Sequence, residues 1–183
     1  MRQKLRYFTV FEMMLIALMA SLGIATKSII VPLIHMITGP LYIPGGSLAG
    51  GFYMMWLILG AGFINKKGTA TLIALVQGVM VMVMGFYGSH GALSIISYTL
   101  PGIMIDIFLL LFKGQCRSLG ACFFACILAN ITGTFMSNLL FFRLPIIPLL
   151  FSISLAAFSG GIGGYIAYFL INRFRAYEII ESE

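Results

Sequence analysis

Residues 47–86 read SLAGGFYMMWLILGAGFINKKGTATLIALVQGVMVMVMGF, two apolar runs separated by the short basic segment Asn65-Lys66-Lys67-Gly68. At about 1.5 Å per residue, a run of roughly 18–20 residues reaches across a hydrocarbon core of about 30 Å. The stretch therefore predicts two antiparallel membrane helices joined by a basic turn at one face. Outward from this hairpin the same charge pattern continues. Of eleven Lys and Arg residues, nine fall in alternate gaps between apolar runs: Arg2, Lys4 and Arg6, then Lys66 and Lys67, then Lys113 and Arg117, then Arg173 and Arg175. The intervening gaps carry only Arg143. A soluble protein has no reason to alternate in this way, whereas the positive-inside bias produces it directly. An all-α integral membrane protein is expected, with both termini cytoplasmic and an even number of crossings.

Composition agrees. Hydrophobic residues make up 61% of the chain and charged residues 9%, with a mean hydropathy of +1.07. Globular domains carry about a quarter charged residues. The net charge of +6 forms no continuous stripe but flanks apolar helices, which points to lipid headgroups rather than nucleic acid. The first apolar run is of spanning length and lacks a small-residue cleavage site, so no cleavable signal peptide is expected. Cys116, Cys122 and Cys126 match no zinc spacing and fall near the cytoplasmic face, where reduced thiols are the default.

Six helices are expected in a single domain over 1–183, at about 9–31, 47–64, 69–86, 92–112, 119–142 and 149–171. The first opens on Thr9-Val10-Phe11-Glu12, a Thr-x-x-Glu capping box, and Pro32 is expected to stop it. A broken outer loop then runs from Pro32 to Gly46, interrupted by Gly39, Pro40, Pro44 and Gly45. Such a segment must cover protein or line a cavity, because bare backbone is not tolerated in lipid. Pro101 is expected to kink the fourth helix.

Small residues recur at four-residue spacing on two helices: Ala17, Ser21 and Ala25 on the first, Ala156, Gly160 and Gly164 on the sixth. Such faces let helices approach closely in lipid. On the sixth helix the expectation is internal packing. On the first, packing and docking to another protein both fit.

Polar groups at membrane depth are costly, and each is a candidate site residue. Glu12 is explained by its capping box. Asp106, in the inner third of the fourth helix, is expected to pair with Lys113 or with a neighbouring helix. Lys27 either snorkels to the outer headgroups or touches a ligand. At its level the sequence places His35 and Tyr42 in the broken loop, Tyr53, Gln77, Ser89, His90 and Tyr98. The fifth helix adds Asn130, Thr134 and Asn138, four residues apart, with Arg143 beyond them. Together these residues make an outward-facing polar pocket.

Several chemistries are excluded. Gly62 to Gly68 lacks the Gly-Lys-Ser/Thr ending of a Walker A loop, and there is no HExxH or GxSxG. No cofactor and no resident metal are expected, and the chain is not expected to be an enzyme. No selectivity-filter repeat suggests a channel. Only one broken segment is found, where a self-sufficient secondary transporter shows two. A small membrane scaffold without a ligand of its own is the competing class. A membrane enzyme built on Asp106 or His90 has no recognisable constellation.

The chain resembles the substrate-binding S components of energy-coupling factor (ECF) vitamin transporters. The likeness lies in six helices within roughly 180 residues, a basic N-terminus, a small-residue face on the first helix and a long loop after it. Residues 50–68, GGFYMMWLILGAGFINKKG, with the following helix and the GSHG turn, are most similar to the YkoE-type branch, associated with thiamine and its hydroxymethylpyrimidine precursor. The resemblance implies capture of a vitamin-like molecule from outside. It also implies docking of Ala17, Ser21 and Ala25 against a membrane T component, energy from two cytoplasmic ATPase subunits, and location in a prokaryotic cell membrane. One departure stands out. Relatives linked to thiamine carry acids in the third helix, whereas Leu72 to Gly85 contains none and the outer half has no Asp or Glu. Electrostatics thus favours a neutral or anionic ligand, although Tyr53, Trp56 and Tyr98 offer ring faces to a cation.

Overall fold

The structure, a computed structural model, describes residues 8–41, 43–85, 91–112, 116 and 118–176. All of its regular elements are helical. They are α1 (Val10–Thr38), a 3-10 turn (Gly39–Leu41), α2 (Gly45–Ile64), α3 (Thr69–Met84), α4 (Leu93–Leu111), α5 (Leu119–Ser137), a π-helical turn (Asn138–Phe142) and α6 (Ile146–Ala176). Five helical segments are long and apolar enough to span a membrane; α3, with 16 residues, is shorter. By length and composition these helices make the chain a multi-pass membrane protein.

α2 is the central helix. Two thirds of its apolar window is buried, against one third for α1, α4 and α6, and it packs on α1, α3, α5 and α6. Glycine makes this possible. A Cβ on Gly51 would lie 1.8 Å from the Ser159 carbonyl oxygen, and one on Gly163 would lie 2.0 Å from that of Gly51. α2 and α6 therefore touch backbone to backbone, and Ser159 Oγ ties the contact by accepting from Gly51 N at 2.9 Å and donating to Leu48 O at 2.5 Å. On the other side of α6, Gly160 and Gly164 face the α5 backbone at Cys126–Ile127 and Cys122–Phe123, and Ala156 is fully buried. The small face of α6 is thus internal packing. In lipid such contacts replace the hydrophobic effect as the source of cohesion.

Two acids are accounted for by the backbone. Thr9 and Glu12 form the expected capping box, and Glu12 also pairs with Lys66 at 2.5 Å, tying α1 to the α2–α3 turn. Asp106 on α4 accepts from the backbone N of Thr71 at 2.8 Å and from its hydroxyl at 2.5 Å. A carboxylate is thereby set against the first turn of α3, where free N–H groups and the helix dipole favour a negative charge. The neighbouring-helix alternative holds for Asp106; Lys113 lies outside the described residues.

The main correction concerns α1. The helix does not stop before Pro32 but runs through it to Thr38. Proline removes one helical hydrogen bond, the one to the Ser28 carbonyl, a loss that membrane helices commonly tolerate. The start of α2 packs against the turn that follows the proline, where a Cβ on Gly45 would lie 2.8 Å from both Val31 O and His35 N. The interrupted loop accordingly shrinks to residues 39–44, and His35 stands on a helix. α6 also exceeds its expected bounds at both ends, beginning at Ile146 and ending at Ala176.

Candidate functional site

A cavity of about 150 Å³ opens between α1, α2, α4 and α5, at the end of the bundle opposite Lys66, Lys67, Arg173 and Arg175. α1 contributes Lys27, Val31 and His35; α2 contributes its first turn, with Tyr53 below; α4 contributes Ser97 and Tyr98. α5 supplies Gly133, Thr134 and Ser137, and the π turn supplies Phe141 and Phe142. A smaller space of about 30 Å³ shares Lys27, Tyr53 and Tyr98 with it and adds Met54 and Gln77 as a floor.

Lys27 is the focus of this space. Its Nζ donates to the Tyr98 hydroxyl and sits 4.1 Å from the centre of the Tyr98 ring and 5.5 Å from that of Tyr53. With α1 continuing to Thr38, Lys27 lies eleven residues below the helix end, roughly 16 Å at the helical rise. That depth is poor for snorkelling to the nearer headgroups. No carboxylate approaches it among the described residues, where Lys66–Glu12 is the ion pair found. Tyr53 donates weakly to Gly46 O at 3.3 Å, and the exposed His35 accepts from Gly45 N at 3.4 Å, pinning the start of α2 to α1. Gln77 is 5% exposed and its amide nitrogen has no partner; it fits because Gly23 opposite has no side chain.

Of the residues singled out from the sequence, Lys27, His35, Tyr53, Gln77, Tyr98 and Thr134 meet in this space. His90, Ser89 and Tyr42 lie outside the described residues. Asn130 and Asn138 line neither space. Asn130 is fully buried and donates to Ser47 O at 3.1 Å and Ala156 O at 2.9 Å, joining α5 to α2 and α6 in the room left by Gly50. Asn138 accepts from Leu144 N at 2.8 Å and closes the π turn. The cause is helical geometry: residues eight apart are offset by roughly 80° on an ideal α-helix, so 130 and 138 cannot share one narrow face. Arg143 is exposed beyond the π turn, and Trp56 donates to Thr26 Oγ1 at 2.9 Å, linking α1 and α2 outside the cavity. Asn130→Ala is expected to cost about 1–3 kcal/mol of stability while leaving ligand affinity nearly unchanged. Thermal unfolding in detergent, with and without ligand, measures both.

Ser97, Ser137, Phe141 and Phe142 were not anticipated. Thr134, Ser137 and Phe141 stand at i, i+3 and i+7, the true helical face, and that spacing was the available clue.

The fold is similar to that of a solved structure described as the crystal structure of an S-component of ECF transporter. The TM-score is 0.77 at 14% identity, covering 95% of this chain and 88% of that one. No curated protein matches the sequence. Residues 12–132 match the family described as ABC-type cobalt transport system, permease component, and the chain belongs to that family. Membership places it among the non-catalytic membrane components of transport systems.

Proposed function

We infer that the chain is the substrate-binding S component of an ECF-type, ATP-driven importer for a vitamin or related micronutrient. It sits in a prokaryotic cell membrane as one six-helix domain with both ends in the cytoplasm. The observation that carries this reading is the cavity itself: a small, polar-lined space at the end of the bundle away from the basic turns. By the positive-inside bias that end faces outward. An ATPase partner as the source of energy is consistent with the lack of a Walker A loop in the sequence.

The exposed stripe of Ala17, Ser21 and Ala25 supports docking to a membrane T component, with two cytoplasmic ATPase subunits beneath. The Ser21 hydroxyl donates to Ala17 O at 2.8 Å, so the face presents little unsatisfied polarity. Neither a cobalt ion nor a thiamine-type cation suits the cavity. Among the described residues its lining holds one imidazole and no carboxylate or thiol, and the Lys27 ammonium already occupies the face of the Tyr98 ring. Equilibrium binding of candidate micronutrients to the purified chain tests the reading. Saturable, one-to-one binding is expected, and a chain that binds none of them and joins no T component contradicts it.

A further inference from the structure

The half-buried Lys27 sets the chemistry of whatever enters. The two acidic residues among the described residues are placed away from it. Glu12 pairs with Lys66 and Asp106 holds the start of α3. The remaining three, Glu178, Glu181 and Glu183, lie outside the described residues. Among the described residues, the titratable groups facing Lys27 from the packed helices are Tyr53, Tyr98 and His35, none of them a carboxylate. A positive charge at membrane depth without a counter-charge is costly, so a site built this way is completed by an anion.

We propose that, within the S-component reading above, the cavity takes a small, flat monoanion bearing one carboxylate, bound by the Lys27 ammonium and the Tyr98 hydroxyl. The donor count supports this. Lys27 gives one hydrogen to Tyr98, which leaves it two to donate and leaves the Tyr98 O–H free to donate as well. Those donors match the two oxygens of a carboxylate. A dianionic phosphate would keep one charge unmatched beside a single ammonium. The first turn of α2, from Pro44 to Ser47, lines the same space without a side-chain cap, and its dipole adds to the positive field. Ser47 and Gln77, 2% and 5% exposed, line these spaces with a polar atom lacking a partner, which suits a ligand that brings hydrogen bonds of its own. Size and shape follow from the walls. About 150 Å³ is on the order of ten times what a single water needs, and the rings of Tyr53, Tyr98, Phe141 and Phe142 border it.

The full chain is purified in detergent, its retained small molecules are identified by native mass spectrometry, and it is titrated with aromatic monocarboxylates and their matching carboxamides. The expected result is a retained or preferred carboxylate. Lys27→Met is expected to weaken it about ten- to hundredfold. Lys27→Arg restores part of the affinity. The Lys27→Met chain remains folded, with unliganded thermal stability equal to or above that of the parent, because the substitution removes an uncompensated charge. A retained cation or amide, with affinity indifferent to Lys27→Met, overturns the carboxylate proposal but leaves the binding-subunit reading intact. A chain that retains nothing, binds neither probe series and joins no T component overturns both.

Discussion

Replacing Ala17 and Ser21 together by leucine is expected to reduce uptake to background while ligand affinity stays within about twofold of the parent. The two residues are exposed on α1, on a face that flanks the buried Ile16, Met19, Ala20, Gly23 and Ile24. Nothing inside the protein therefore meets the added side chains, and the bundle has no reason to lose stability. A partner helix does meet them. Small faces allow backbones to approach closely, and an overpacked helix contact costs about 1–3 kcal/mol or more per enlarged residue. Two such costs at one interface lower association by roughly two orders of magnitude or more. Uptake by reconstituted transporter, paired with ligand binding by the isolated chain, separates the two effects. Normal uptake by the double variant removes the docking face from the account.

Gly163→Val is expected to have the largest effect on the fold, at about 3 kcal/mol or more. A Cβ there would lie 2.0 Å from the Gly51 carbonyl oxygen and 2.8 Å from its Cα, both backbone atoms of the central helix. A flexible side chain can swing away from such a clash; a helix backbone must move as a unit. Separation of α2 from α6 also strains the two hydrogen bonds of Ser159 and the bridge from Asn130 to Ala156. Gly120 is the control, since no atom lies within 4 Å of a Cβ built there. Size-exclusion profiles and thermal unfolding of Gly163→Val against Gly120→Ala give the comparison. Equal stability in the two variants contradicts the packing described for α2 and α6.

Much of the fold was legible in the hydropathy and charge pattern, because in a membrane the helix is the cheapest way to satisfy the backbone. The capping box at Thr9 and the internal role of Gly160 and Gly164 followed from local spacing alone. Pro32 misled, because membrane helices tolerate the single hydrogen bond that proline removes, and α1 continues through it to pack on the start of α2 at Gly45. The consequence reached the site. Extending α1 moved His35 from a loop to a helix and placed Lys27 deeper. On α5, polar residues at a spacing of four suggested one face, whereas the helical turn of 3.6 residues sent Asn130 to a helix junction and left Thr134 in the cavity, and Asn138 closes the π turn. Which buried amide meets a carbonyl and which meets a cavity is decided by tertiary packing, and Gly50 was the only local hint for Asn130.

The central claim, that this chain captures a small molecule and hands it to an ATP-driven partner, is tested most directly by co-expressing the tagged chain with ECF T and ATPase subunits. The complex is pulled down and both it and the free chain are examined by native mass spectrometry. The account predicts a stable complex containing all three kinds of subunit and a small-molecule mass on the free chain. Absence of both the complex and the bound mass would contradict it and leave a membrane scaffold as the better description.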